Sequence, residues 1–196
     1  MIHRPEWDDS ARSGQPEQRV MPTDAKKSTS IRRETVVDSW NSVVMNGAGR
    51  DKWALDTIDQ AIKDANIPEF KCELMDVSTG GLGGLMGKKR DFLVVTHRRL
   101  RDYRMYICAR DFGAHLDVSW FLTIEPGFLK RTVSKYTTGN PQAISQAIDL
   151  FDQQDLSAYV SVAHHCVTQT VEMLMQELNQ NTSRLNTKSK GFLEVW

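Results

Sequence analysis

The chain has 196 residues in which 25 Lys and Arg balance 25 Asp and Glu, so no global field draws it to nucleic acid or to an anionic membrane, and any such attraction has to be local. The length suits one domain with appendages and a sizeable core. Cys72, Cys108 and Cys166 are odd in number, far apart and without CxxC spacing, which excludes a disulfide framework and a zinc module and points to a reducing cytosol. The first residues contain no apolar signal core, and nowhere do about 18 apolar residues run together, so a cytoplasmic protein is expected, at most peripheral to a membrane.

In chain order, residues 1–35 are rich in Pro, Gly, Ser, Gln and mixed charge, with isolated apolar residues such as Trp7 and Val20. Such a composition buries too little surface to offset its ordering entropy and predicts a disordered arm. Val36, Val37, Trp40, Val43 and Val44 have a roughly helical spacing, broken by Asn46, Gly47 and Gly49, and predict a short helix. A clearer helix follows from Asp51 to Ala65, where Leu55, Ile58, Ile62 and Ala65 share a face and Asn66 and Pro68 end it.

Phe70, Cys72, Leu74 and Asp76 then alternate with Lys71, Glu73, Met75 and Val77 as a strand. After a glycine-rich loop, the apolar run from Phe92 to Thr96 reads as a covered strand. Alternation over Tyr103–Arg110 and, without a fault, over His115–Ile124 gives two more strands. Their connections are too short for a parallel crossover, so they should form an antiparallel meander, with Asp111-Phe112-Gly113 as turn chemistry. Phe128–Lys135 suggests a short basic helix. Residues 142–180 are helical in pattern, in two pieces divided near Gln153–Asp155 with Asp155 as N-cap, and Leu156, Tyr159, Ala163, Val167, Thr170 and Leu174 make the inward stripe. The polar stretch beyond reads as a linker, closed by the apolar tail Gly191–Trp196.

The fold expected is α+β over residues 36–180: a predominantly antiparallel four-stranded sheet, one preceding helix, and a long C-terminal amphipathic helix packed on one face. Residues 1–35 form an arm and 181–196 a linker and tail.

The stretch from Val77 to Arg104 combines backbone freedom with concentrated charge. As a phosphate loop it fails: Leu82 stands where a glycine is needed before Gly87-Lys88, Lys89 follows where a hydroxyl is required, and a strand rather than a helix comes next. What remains is a flexible hairpin connection whose glycines permit positive φ, a loop gating a pocket, or a recognition loop. Gly83 and Gly84 free the backbone, Leu85 and Met86 offer apolar tips, and Lys88, Lys89 and Arg90 offer charge to a lipid headgroup surface or an acidic protein groove. Arg98, Arg99 and Arg101 extend the basic run to Arg104, whereas residues 141–180 carry only acidic charges, so the chain is neutral but polarised.

Tyr103 and Tyr106 beside Arg104 and Arg110 hint at a stacking platform, but the neutral total and acidic helices disfavour nucleic acid. His164, His165 and Cys166 resemble ligands. Adjacent helical residues diverge by about 100°, however, and the spacing of HxxxH or HExxH is missing, so the expectation is a packed histidine, a small core cysteine and no metal. No cofactor motif is present.

The leading expectation is therefore a non-catalytic binding or assembly module for a partner protein or an anionic lipid surface. The alternatives are a small hydrolase or transferase using Asp111, His115 and Asp117 at the sheet side, and a homo-oligomer assembled through the 155–180 helix.

Overall fold

The computed structural model describes residues 28–31, 36–79, 89–125, 149–191 and 193–196. Strands β1 (Ser28–Ile31), β2 (Val36–Val44), β3 (Phe70–Thr79), β4 (Lys89–His97), β5 (Tyr103–Phe112) and β6 (His115–Ile124) form one sheet in the order β1-β3-β4-β5-β6-β2. Helices α1 (Asp51–Asp64) and α2 (Leu150–Glu177) complete an α+β fold. All neighbouring strands are antiparallel except β1, which lies parallel to Asp76–Thr79 of β3. The sheet thus exceeds the four strands expected, by two edge strands for different reasons.

The segment at 36–44 is strand β2, not a short helix. Its four valines lose side-chain freedom in a helix, and a helix of this length gains too little to nucleate alone. Pairing with β6 places Trp40 opposite Trp120 and Val44 opposite Leu116, and these four side chains are buried. Strand β1 falls inside the stretch expected to be a disordered arm; four residues gain order there by adding to the β3 edge.

The helix face of the sheet carries the main core. Leu93 and Val95, Met105 and Ile107, and Val118, Trp120 and Leu122 meet Ile58 and Ile62 of α1 and Val160, Val167 and Leu174 of α2. Alternation decides this, because the residues of one parity along each antiparallel strand share one face. On the other face a smaller cluster holds Phe92, Val94, Tyr106 and Cys108. Helix α2 runs without a break through 153–155, and its N-cap is Asp149, whose carboxylate accepts the Phe151 N–H at 2.8 Å, in place of the Asp155 expected. At 28 residues it extends about 42 Å. The helix expected at Phe128–Lys135 lies outside the described residues.

His164 sits fully buried in the middle of α2, edge-on to both Trp40 and Trp120, with ring centroids 5.5 and 5.6 Å away. Its Nδ1 accepts the Trp120 indole N–H at 2.9 Å, and Nε2 lies 2.6 Å from the Thr187 carbonyl oxygen, which makes Nε2 the protonated nitrogen and the ring neutral. Trp40 in turn donates its indole N–H to the Asn186 carbonyl at 2.6 Å. The segment after α2 is therefore stitched to the core.

Beyond it, the tail wraps the buried carboxylate of Asp38 on β2. This carboxylate accepts from the Ser39 N–H at 2.7 Å, and from the Ser189 hydroxyl and the Leu193 N–H at 3.2 Å each. The Lys190 N–H bonds the Ser39 carbonyl at 2.7 Å, so the tail also covers part of the β2 edge. A Cβ on Gly191 would fall 2.5 Å from Asp38 Cα, a contact that real structures do not hold. Gly191→Ala is expected to cost about 1–3 kcal/mol by forcing the tail off Asp38, measured as a lowered urea midpoint and faster proteolysis of the last residues.

Burial lowers the affinity of His164 for a proton below its ordinary value of 6.5, against the opposing pull of the Thr187 carbonyl. The unfolded chain then takes up that proton first. The contribution of His164 to stability is full above pH 6.5 and is lost as pH falls below it towards the lowered folded value. Asp38 acts in another window and the opposite sense. Burial raises its carboxyl above 3.8, so its contribution is present below that value and fades as pH rises through it. Urea midpoints recorded downward from about pH 8 should begin to fall near pH 6.5, and His164→Gln should flatten that part of the profile while lowering the plateau.

Candidate functional site

Sequence reasoning joined the glycine loop and the arginines after it into one basic surface. The residues Gly83, Gly84, Leu85, Met86 and Lys88 lie outside the described residues. Lys89 and Arg90 begin β4, paired with Ser78 and Val77, while Arg98, Arg99 and Arg101 follow its other end, where His97 pairs with Phe70. Eight strand steps separate those ends, about 27 Å. The two basic groups are thus at opposite ends of β4, and they are separate surfaces.

At the far end the chain makes a tight turn from β4 into β5. The Arg98 N–H bonds the Glu69 carbonyl, and the Tyr103 N–H bonds the Leu100 carbonyl, both at 3.0 Å; the Glu125 N–H bonds the Asp102 carbonyl at 2.8 Å. Leu100 and Tyr103 are buried beneath. The turn backbone is held from three sides, so its arginines project from a fixed base.

Arg98 and Arg101 border a groove of about 730 Å³ on the face opposite the helices, whose cationic lining comes from Lys71, Arg98, Arg101 and Arg104. Arg104 joins because it pairs with Thr96 across β4 and β5, on the face that Val94 and Tyr106 share. Two carboxylates nearby are engaged. Glu73 lies 2.7 Å from Lys71 and Glu69 3.4 Å from Arg99. Arg98, Arg101 and Arg104 form no ion pair among the described residues, and the Arg101 Nε–H is turned back to the Arg98 carbonyl at 3.1 Å. Glu69 and Glu73 line the same groove, but among the described residues no carboxylate is paired with these three guanidiniums.

Glu69, at the corner of this groove, has φ of 67°, a left-handed backbone that a residue with a Cβ adopts at a cost of order 1 kcal/mol. The bend turns the entry into β3 so that Phe70 meets both His97, at 5.7 Å, and Tyr159 of α2, at 5.0 Å between ring centroids. On the helix side of these rings lies a second groove of about 330 Å³, lined by Ile67, Pro68, Ala158 and Val162. Glu69, Phe70 and His97 line both grooves.

The alternative sites do not assemble. Asp111 accepts the Gly49 N–H at 2.9 Å, His115 Nδ1 accepts the Asn46 N–H at 3.1 Å, and Asp117 pairs with Arg110 at 2.9 Å. Each has a separate structural partner, and strand alternation sends Asp111 to the face opposite His115 and Asp117, so the three do not converge. Burial pushes the Cys72 thiol up to about 12 and that of Cys108 to about 11, which keeps both protonated and poorly nucleophilic. His164 belongs to the core and His165 is exposed, pointing away from it. No group of three or more metal-ligating side chains occurs among the described residues. Tyr103 and Tyr106 point to opposite faces and are each only 4% exposed, so they offer no open ring for a base.

Sequence reasoning did not place Lys71 in the site, because it is 27 positions from Arg98 and joins it only through the β3–β4 pairing. No helix among the described residues is long and apolar enough to cross a membrane. No protein-family model matches the chain, and neither a curated protein nor a solved structure matches it. His115→Ala is expected to leave the fold intact at a cost of about 0.5–1.5 kcal/mol, the worth of one exposed-edge hydrogen bond, read from a urea melt with an unchanged circular dichroism spectrum.

Proposed function

We propose that this protein is a non-catalytic binding or assembly module that holds an anionic surface, of a partner protein or a membrane, against the groove between Lys71 and the Arg98–Arg104 turn. The observation that carries the reading is the trio of guanidiniums at Arg98, Arg101 and Arg104, without an ion pair among the described residues, around one concave surface. A neutral protein attracts no partner through its total charge, so local concentration of one sign is what gives orientation and rate to an encounter. Arginine suits this role because its planar fork meets carboxylate or phosphate oxygens two at a time and its weak hydration lowers the cost of contact. The held backbone of the turn supports it further, since a pre-ordered site loses less entropy on binding.

The basic start of β4 is the competing anchor, and charge reversal separates the two. The triple variant R98E/R101E/R104E should lose retention on a polyglutamate column and sedimentation with phosphatidylserine-containing vesicles, by about tenfold or more at low salt. The variant K88E/K89E/R90E should keep most of both. Unchanged binding by the first variant, or equal loss in the second, would refute the assignment.

A further inference from the structure

The basic groove and the smaller apolar groove are neighbours, divided only by Phe70 and His97, with Glu69 at their corner. We infer that this corner is a binding site for an amphipathic phosphate monoester, its phosphate held by Arg98, Arg101 and Arg104 and its apolar part laid into the groove between Pro68 and Val162. The inference rests on the reading of the turn as the binding face and adds the chemical class of what it binds.

Several observations favour this class. Three guanidiniums without a carboxylate partner among the described residues supply more donors than a single carboxylate can use, whereas a phosphate dianion presents three terminal oxygens to them. The Thr96 side chain also lines the basic groove, adding a hydroxyl beside the cations. The apolar groove has the complementary character: Ile67, Pro68, Phe70 and Val162 form its walls, and the exposed Ala158 of α2 lies on its margin. Of the acids here, Glu69 borders both grooves and is paired with Arg99, whereas Asp155 lines the apolar groove alone and disfavours an anionic group on that side. A ligand bearing both groups is thereby oriented, and a purely charged one would leave the smaller groove unfilled. The strained backbone at Glu69 fixes the angle between the two grooves.

Two sources share this chemistry, a lipid headgroup with an exposed monoester and a soluble organic phosphate. The full-length chain is titrated with inorganic phosphate and with butyl phosphate, followed by calorimetry. Butyl phosphate should bind about tenfold tighter, as expected for burying two or more methylenes. Ala158→Glu, an exposed helix position where the fold should be kept, should abolish that advantage and leave inorganic phosphate unaffected. R98E/R101E/R104E should abolish binding of both.

Vesicles of phosphatidylcholine with phosphatidic acid, against the same vesicles with phosphatidylserine, distinguish the sources. Stronger capture by the phosphatidic acid vesicles assigns a headgroup, and butyl phosphate binding with equal capture by both vesicles assigns a soluble ligand. Equal affinity for the two phosphates, or an Ala158→Glu protein that keeps the preference, overturns the amphipathic site while leaving the anionic-surface reading standing. Charge reversal without effect on any probe overturns both.

Discussion

Everything on the helix side of the sheet depends on a neutral imidazole being placed between two indoles. His164 receives a hydrogen bond from Trp120 and gives one to the Thr187 carbonyl, while Trp40 gives its own to Asn186. Strands β2 and β6, helix α2 and the C-terminal tail meet at this node. A polar ring in a core is tolerated only when both nitrogens are satisfied, and here one is satisfied by the sheet and the other by the tail. The tail is consequently part of the core's hydrogen bonding, not an attachment to a finished domain. The same logic recurs at Asp38, where a buried carboxylate is met by three donors, two of them from the tail.

This arrangement confines the sites available for recognition. One face of the sheet is occupied by α1 and α2, and the far β2 edge is partly covered by the tail. The opposite face carries its own small apolar cluster around Tyr106. Among the described residues, the corner where β3 begins and β4 turns into β5 stays open. There the chain concentrates positive charge on a turn pinned by Glu69, Leu100 and Asp102, next to a cleft left between β3 and α2. Fixed backbone and charge unmatched among the described residues occur together at that corner, and that coincidence separates it from the ion-paired groups elsewhere, such as Arg50 with Glu177 or Arg110 with Asp117.

Much of the fold was legible locally. The unbroken alternation from His115 to Ile124 made β6 readable, and the stripe from Leu156 to Leu174 on α2 is buried as its period requires. The region at 36–44 was misread because its apolar residues fit two periods. Only the cross-strand partner Trp120 decides between them, and that partner is 80 positions away. The end of α2 was blurred likewise, since Asp149, Asp152 and Asp155 are equally good caps by composition and the cap is chosen by where the backbone turns.

By itself the sequence determined the class of fold, the meander, the neutral total charge and the clustering of basic residues between Lys88 and Arg104, because each follows from residue type and short-range period. Tertiary structure alone decided how those basic residues divide. A strand is stiff and extended, so β4 sends Lys89 and Arg90 to one end and Arg98 to Arg104 to the other, while register brings Lys71 and Glu69 beside the latter group. The dispersal of Asp111, His115 and Asp117 was decided in the same way, since alternation and the loops at Asn46 and Gly49 give each a different partner. Proximity in sequence measured neither outcome, for it is the pairing of strands that sets which side chains share a face.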